Sequence, residues 1–209
     1  MSHLLVLGAT GGTGRHLVDQ ALAAGHTVTA LVRDPQRLPA RPGLRLVRGD
    51  ATDAARLDEV VPGHDAVLCA VGAPARDAGR VRERSAAALV PAMQRAGVRR
   101  LIVLSSYGVA ETRAHLPWIM RWLVVPLYLG RAFADHEAQE QVVRDSGLDW
   151  TLVRPPHLHD GPRRDRTRVD FAPDDPTVQP KLSRADVAAF LLAQLDDRTH
   201  LREARAIAS

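Results

Sequence analysis

The stretch that most constrains this chain is its first 33 residues. An apolar run at residues 4–7 is followed at once by Gly8-Ala-Thr10-Gly11-Gly12-Thr13-Gly14-Arg15. The residues after it space their apolar members as a helix does, at Leu17, Val18, Ala21 and Leu22. A second apolar run, Thr27–Val32, ends at Arg33. Strand, glycine-rich turn, helix and second strand in this order make the unit that binds a dinucleotide in doubly wound folds. The residue types suit that chemistry. Glycines let the backbone bend sharply and approach a pyrophosphate, and a helix start offers free N–H groups and partial positive charge. Gly8, Thr10, Gly11, Gly12, Thr13, Gly14 and Arg15 are therefore the expected cofactor-binding residues of the turn. A turn that merely joins strand to helix is the rival reading, and the second strand falling in register weighs against it.

The same alternation continues. Strands are expected at 44–47, 66–71, 101–104 and 150–153, the last closed by Arg154-Pro155-Pro156. A short helix carries Ala54, Leu57, Val60 and Val61, and a longer one spans 80–96 with a kink at Pro91 and an end at Gly97. A third starts at an Asp135 N-cap and stops at Gly147, and a fourth begins at Ser183. Residues 204–208 read as an edge strand. The expectation is an α/β fold, a Rossmann-type doubly wound parallel sheet, with one domain over 1–209. It would carry a substrate-side segment near 109–133 and a Pro-rich lid or binding loop near 157–180.

Composition narrows the partners. A net charge of +4 comes from arginines scattered along the chain, with Lys181 the only lysine, so the clustered charge of a nucleic-acid surface is absent. The single cysteine, Cys69, sits in an apolar run and reads as an inert core thiol of a cytoplasmic protein. The chain enters a strand directly, without the pattern of a secretory signal. Residues 116–129 are strongly apolar but too short for a membrane span and broken by Arg121 and Pro126. They read as a segment over a cleft or at a subunit contact, which fits a monomer or small homo-oligomer.

The turn is spaced G-x-x-G-x-x-G, and GATGGTGR after an N-terminal strand resembles the atypical branch of the short-chain dehydrogenase/reductase superfamily. That branch includes NmrA-like proteins and the biliverdin-IXβ/flavin reductases. ALVRDPQRL, RGDATD, AVG, LSSYG and DSGLDWTLVRPPHL extend the likeness along most of the chain, thinning between Glu111 and Arg131. The resemblance implies that Asp50 and Ala51 contact adenine, although Asp50 reads equally as a helix N-cap. It implies that Val71 and Gly72 pass the nicotinamide-side ribose, and that Ser106 is the cofactor- and substrate-side serine.

Cofactor type is read at the end of the second strand. Arg33, with Arg37 close by, occupies the place where an acidic residue favours NAD; a guanidinium accommodates a 2′-phosphate instead, so NADP(H) is expected. Asp34 is the counter-indication, one residue late.

Ordinary short-chain dehydrogenases use a Tyr-x-x-x-Lys pair, but Tyr107 is followed four residues later by Glu111 and Tyr128 by Ala132. What remains at the strand ends is Ser105, Ser106, Pro155 and His157, with Ser106 and His157 the candidate catalytic groups. Ser105 and Pro155 are placed on the cofactor side. His157, His159 and Asp160 lack further ligands of suitable spacing, so no metal is expected. Trp118, Trp122 and Tyr128 could stack on a flat substrate or serve as core or interface. The sequence reading is an NADPH-dependent reductase acting on a flavin, a biliverdin-like tetrapyrrole or a quinone. Its rivals are an NmrA-like redox sensor without turnover and an isomerase or nucleotide-sugar epimerase.

Overall fold

In the computed structural model, described for residues 1–73, 79–172, 175 and 177–209, the strands order themselves around the first one. His3–Leu7 (β1) lies at the centre of an eight-stranded sheet. Thr27–Val32 (β2) and Leu44–Arg48 (β3) run out on one side of it. On the other side come Ala66–Cys69 (β4), Arg100–Leu104 (β5) and Asp149–Arg154 (β6). A two-stranded patch is formed separately by His157–His159 (β7) and Lys181–Ser183 (β9); Arg168–Val169 (β8) and Glu203–Ala208 (β10) complete the main sheet. The order is β3-β2-β1-β4-β5-β6-β10-β8, parallel except for the β10–β8 pair.

Both sheet faces are buried, which is why the strands read as continuous apolar runs rather than alternating ones. Leu5 and Leu7 of β1 join one core cluster with Leu57, Leu89, Met93 and Val143. Leu4 and Val6 join the other, with Leu17, Val18, Val187 and Leu191. The first cluster is covered by Ala54–Val60 (α2), Val81–Ala96 (α3) and Gly130–Arg144 (α4). Gly12–Ala23 (α1) and Arg184–Ala193 (α5) cover the second. Cys69 is 2% exposed in the first core, and burial pushes its thiol pKa up, so it is chemically quiet.

Four expectations need correction. Asp135 does not start α4: the helix begins at Gly130, continuous with a π-helical stretch Met120–Leu129. The Asp135 carboxylate instead accepts from the backbone N–H of Arg82 (3.2 Å) and Glu83 (3.0 Å), and so caps α3 from across the helix pair. The residue at the N-cap of α3 itself, Arg80, supplies no capping side chain. The 66–71 strand stops at Cys69, because Ala70 passes against the backbone of Gly8. Residues 204–208 are not an edge, since β10 is flanked by β6 and β8. Finally, the 157–180 stretch is not plain loop: it contains β7 and β8, while residues 173, 174 and 176 of it, like 76–78 of the arginine-bearing 76–84 stretch, lie outside the described residues.

Among the described residues no helix is long and apolar enough to cross a membrane.

Candidate active site

The strand order reverses between β1 and β4, and a cleft of about 700 Å³ opens at the carboxyl ends there, where doubly wound sheets take ligands. Gly8, Thr10, Gly11, Gly12 and Thr13 line one part of it. Gly8 adopts φ +78°, and a Cβ there would fall 2.3 Å from the Ala70 carbonyl oxygen. A Cβ on Gly14 would fall 2.1 Å from the Gly8 carbonyl oxygen. Gly14 thus does not line the cleft; it lets α1 sit tight against the turn. Gly11 precedes α1 and offers no side-chain cap, and no acidic residue occupies the first turn. The first N–H groups of α1 have no intrahelical partners, the arrangement that a helix start offers to an anion.

Arg33 and Arg37 border the cleft past the end of β2. Asp34, the counter-indication, is used up locally: Oδ1 accepts from Gln36 N–H at 3.0 Å, capping the short 3₁₀ turn Pro35–Arg37. Asp34 is not among the cleft residues. Nor is Arg15, expected in the turn. Its guanidinium donates to the carbonyls of Thr10 and Arg37, both at 3.2 Å, and so ties the glycine turn to the Arg37 segment.

Asp50 and Ala51 also border the cleft. Asp50 accepts from the backbone and hydroxyl of Thr52, each at 2.9 Å. Those bonds, aided by Arg33 and Arg84, outweigh burial and hold its carboxyl below the usual range. The N-cap role weighed for Asp50 belongs to Asp53, which accepts from Arg56 N–H.

At the other end stand Val71, Gly72, Ser105, Ser106 and Pro155. A Cβ on Gly72 would meet nothing closer than 3.8 Å, so its smallness keeps space open rather than relieving a clash within the chain. The two serines divide their work. Ser105 is buried and donates to Glu140 at 2.6 Å, whereas Ser106 is half-buried and its hydroxyl reaches only the Tyr107 carbonyl at 3.1 Å. Tyr107 N–H donates to Pro155 O at 2.8 Å, which fixes the rim. Beneath it, Arg154 is fully buried and paired with Glu140 and Glu111.

His157 does not join the site: it is exposed, and Leu158 lines the cleft instead. Trp118, Trp122 and Tyr128 are 67%, 64% and 70% exposed, and none of the 116–129 segment borders the cleft, against the expectation that it lies over it.

Three cleft residues with ionisable side chains escaped the sequence reading: Arg82, His136 and Arg184. Arg82, on α3, donates to Asp135 (3.1 Å) and to the Ala73 carbonyl (3.2 Å), bracing the 71–73 stretch. Arg184, the first residue of α5, lies over Gly12 and pairs with Asp160 at 2.7 Å. His136 is 9% exposed, and burial, with Arg82 beside it, pushes its pKa down to about 3. It is therefore a neutral imidazole at physiological pH.

A family model described as NAD(P)H-binding matches residues 8–198. An oxidoreductase of Emericella nidulans, stcQ, is 32% identical over 97% of this chain and 81% of its own length. A Streptomyces griseus (4-alkanoyl-5-oxo-2,5-dihydrofuran-3-yl)methyl phosphate reductase is 38% identical over 73% of this chain, which spans only 46% of that reductase. Among solved structures, a short-chain dehydrogenase/reductase of Veillonella parvula in complex with NADP superposes with TM-score 0.81 at 18% identity, covering 100% of this chain and 95% of the other. ChuY, an anaerobilin reductase of Escherichia coli O157:H7, gives 0.80 at 20% identity, covering 98% and 96%. At such identities these two structures show the fold.

Proposed function

The chain belongs to the NAD(P)H-binding family, and from that premise we propose that it is an NADPH-dependent reductase that passes hydride to a flat conjugated acceptor such as a flavin, a tetrapyrrole or a quinone. The observation that carries the reading is the make-up of the cleft: cofactor-holding groups at one end, open space beside Ser106 and His136 at the other, and no lysine. The only lysine, Lys181, borders a different pocket, and Tyr107 stands outside the cleft lining. Without a Tyr–Lys pair, the oxidation of simple alcohols lacks its proton-transfer machinery. Reduction of a conjugated ring system needs less, because the product takes its proton from solvent.

The residues present fit the cofactor. The N–H groups at the start of α1 and the Arg184 guanidinium would hold the pyrophosphate, Arg33 and Arg37 would hold a 2′-phosphate, and Asp50 and Ala51 would border the adenine. The 71–73 stretch, braced by Arg82, would pass the ribose by main chain. When bound, the reduced nicotinamide supplies the hydride. The chain orients the acceptor against it, excludes water and offers polar contacts from Ser106 and the helix wall. The names of the anaerobilin reductase and of the Streptomyces reductase add support to a small conjugated substrate.

The lack of the Tyr–Lys pair equally favours a sensor that binds NADP(H) without turnover, and a photosystem II assembly factor of Synechocystis is 33% identical over 52% of this chain. Steady-state oxidation of NADPH at 340 nm with FMN or menadione separates the two. Turnover of either acceptor or of biliverdin, with no oxidation of simple secondary alcohols, supports the reductase; NADPH binding without oxidation by FMN, menadione or biliverdin refutes it.

A further inference from the structure

The wall between α3 and α4 holds an unusual set of polar atoms. Nδ1 of His136, Nε of Arg82 and both amide atoms of Gln139 are buried without a hydrogen-bond partner. Buried polar groups are nearly always satisfied, and the exceptions concentrate where a function uses them. Two of these three side chains, His136 and Arg82, border the cleft. Their place in it is fixed by a chain of contacts: Arg82 holds the Ala73 carbonyl and the Asp135 carboxylate, and Asp135 is the neighbour of His136 on α4. His136 therefore stands at the part of the cleft bounded by Ala73 and Arg82. The Gln139 amide lies beside the imidazole, near enough to act on it as a hydrogen-bonding neighbour, although the two side chains do not meet hydrogen-bond geometry.

We propose that His136 holds the acceptor, donating a ring N–H hydrogen bond to the conjugated oxygen or nitrogen that gains charge during reduction. This rests on the reductase reading. The acceptor takes up two electrons and one hydrogen nucleus as hydride from the reduced nicotinamide, which is oxidised to its pyridinium form. The negative charge settles on the acceptor heteroatom, and a proton from water ends there. His136 lends a hydrogen bond and keeps its proton, because the buried ring beside Arg82 disfavours the imidazolium form from which a proton would be given. A donor already oriented by its buried surroundings stabilises the developing charge more than mobile water does. His157, the histidine that sequence position favours, has no such placement, being exposed outside the cleft.

The test uses the full chain with His136→Phe, which keeps a ring and removes the donor, and His136→Asn, which restores an N–H. FMN binding to the NADP⁺-saturated protein, read by flavin fluorescence, and kcat/KM for FMN with NADPH are measured with the Kd for NADPH. His136→Phe is expected to weaken FMN binding and lower kcat/KM about tenfold or more, with the NADPH Kd within about twofold, and His136→Asn to recover part of both losses. Unchanged FMN binding in His136→Phe overturns the proposal. So does an equal loss of NADPH affinity, which makes the residue a cofactor contact or a structural one. If His136→Phe does not fold, the His136 ring resonances of the unsubstituted protein decide: they must shift when FMN joins the NADP⁺ complex, and unmoved resonances overturn the assignment. A protein that binds FMN through His136 yet never reduces it sinks the reductase reading alone. One that binds none of FMN, menadione or biliverdin sinks both.

Discussion

Glu140→Leu should be among the most damaging single substitutions in the chain, although Glu140 touches no ligand. Its carboxylate, 2% exposed, accepts from Arg154 Nε at 2.8 Å and Nη2 at 2.5 Å and from the Ser105 hydroxyl at 2.6 Å. Arg154 is 0% exposed, and its other partner, Glu111, has a side chain 62% exposed, so Glu140 is the guanidinium's one buried counter-charge among the described residues. Removing it leaves a buried charge half-compensated, which costs about 3–5 kcal/mol. For a domain of this size that lowers Tm by about 6–20 °C. Urea unfolding followed by circular dichroism gives the free energy directly. The double substitution Glu140→Leu with Arg154→Met removes both charges and should cost less than either single change by at least about 1 kcal/mol, since apolar replacement of a whole buried pair is often neutral. A Glu140→Leu loss below about 1 kcal/mol, or strictly additive singles, would refute the account of this network. The functional consequence is local, because Ser105 is tied to Glu140 where β5 meets the cleft.

NADPH should bind at least about tenfold tighter than NADH, a gap of about 1.4 kcal/mol, and Arg33→Asp should erase it; equal affinities in the unsubstituted protein, by fluorescence titration, would show that Arg33 does not meet a 2′-phosphate. Gly14→Ala should leave no soluble folded protein or abolish NADPH binding, because its Cβ meets backbone at 2.1 Å, whereas Gly12→Ala meets only the flexible Arg184 side chain and should stay folded on thermal melting. Ser106→Ala should lower kcat/KM for the acceptor roughly tenfold with Tm unchanged, and Ser105→Ala should act on stability, by about 1.5–3 kcal/mol, through the hydrogen bond lost to the Glu140 carboxylate, whose Oε1 keeps Arg154 Nε. Acid should unfold the protein in a window set by depressed carboxylates: Asp50 held by Thr52, Asp186 by Ser183 and the N–H groups of Arg164 and Asp165, and Glu111 by Arg154. A folded pKa below the unfolded value gives stability that is complete above about pH 5 and falls away below about pH 4, so a urea midpoint flat between pH 6 and 3 would contradict it.

The cofactor end of the cleft was legible because its chemistry is local. Gly8 and Gly14 are forced by contacts among residues 8–14 and the adjoining β4 end, Gly11 is held tightly there, and the flanking strands announce themselves as apolar runs buried on both faces. Boundaries failed where a distant partner decided them. The apolar run extends the expected fourth strand to Val71, whereas the strand ends at Cys69, where the Ala70 backbone lies against Gly8.

The acceptor end was illegible for the same reason in stronger form. Asp135 is a good N-cap residue in a stretch where a helix was due to begin, and the capping rule was right about its chemistry and wrong about its helix. Its carboxylate serves α3, more than fifty residues earlier, and those bonds hold Arg82 beside α4, where His136 follows Asp135 at the cleft wall. A histidine one residue past a supposed helix start looks solvent-facing, whereas one buried in the middle of α4 looks inward. The signal that was available is the burial pattern of α4 itself. Phe133, His136, Gln139, Glu140 and Val143 recur at helical spacing and are all buried, so this helix turns a partly polar stripe toward the core. Such a stripe is costly unless its members meet one another or a ligand. Glu140 meets Arg154 and Ser105; His136 and Gln139 are left over, and they stand at the end of the stripe that borders or adjoins the cleft.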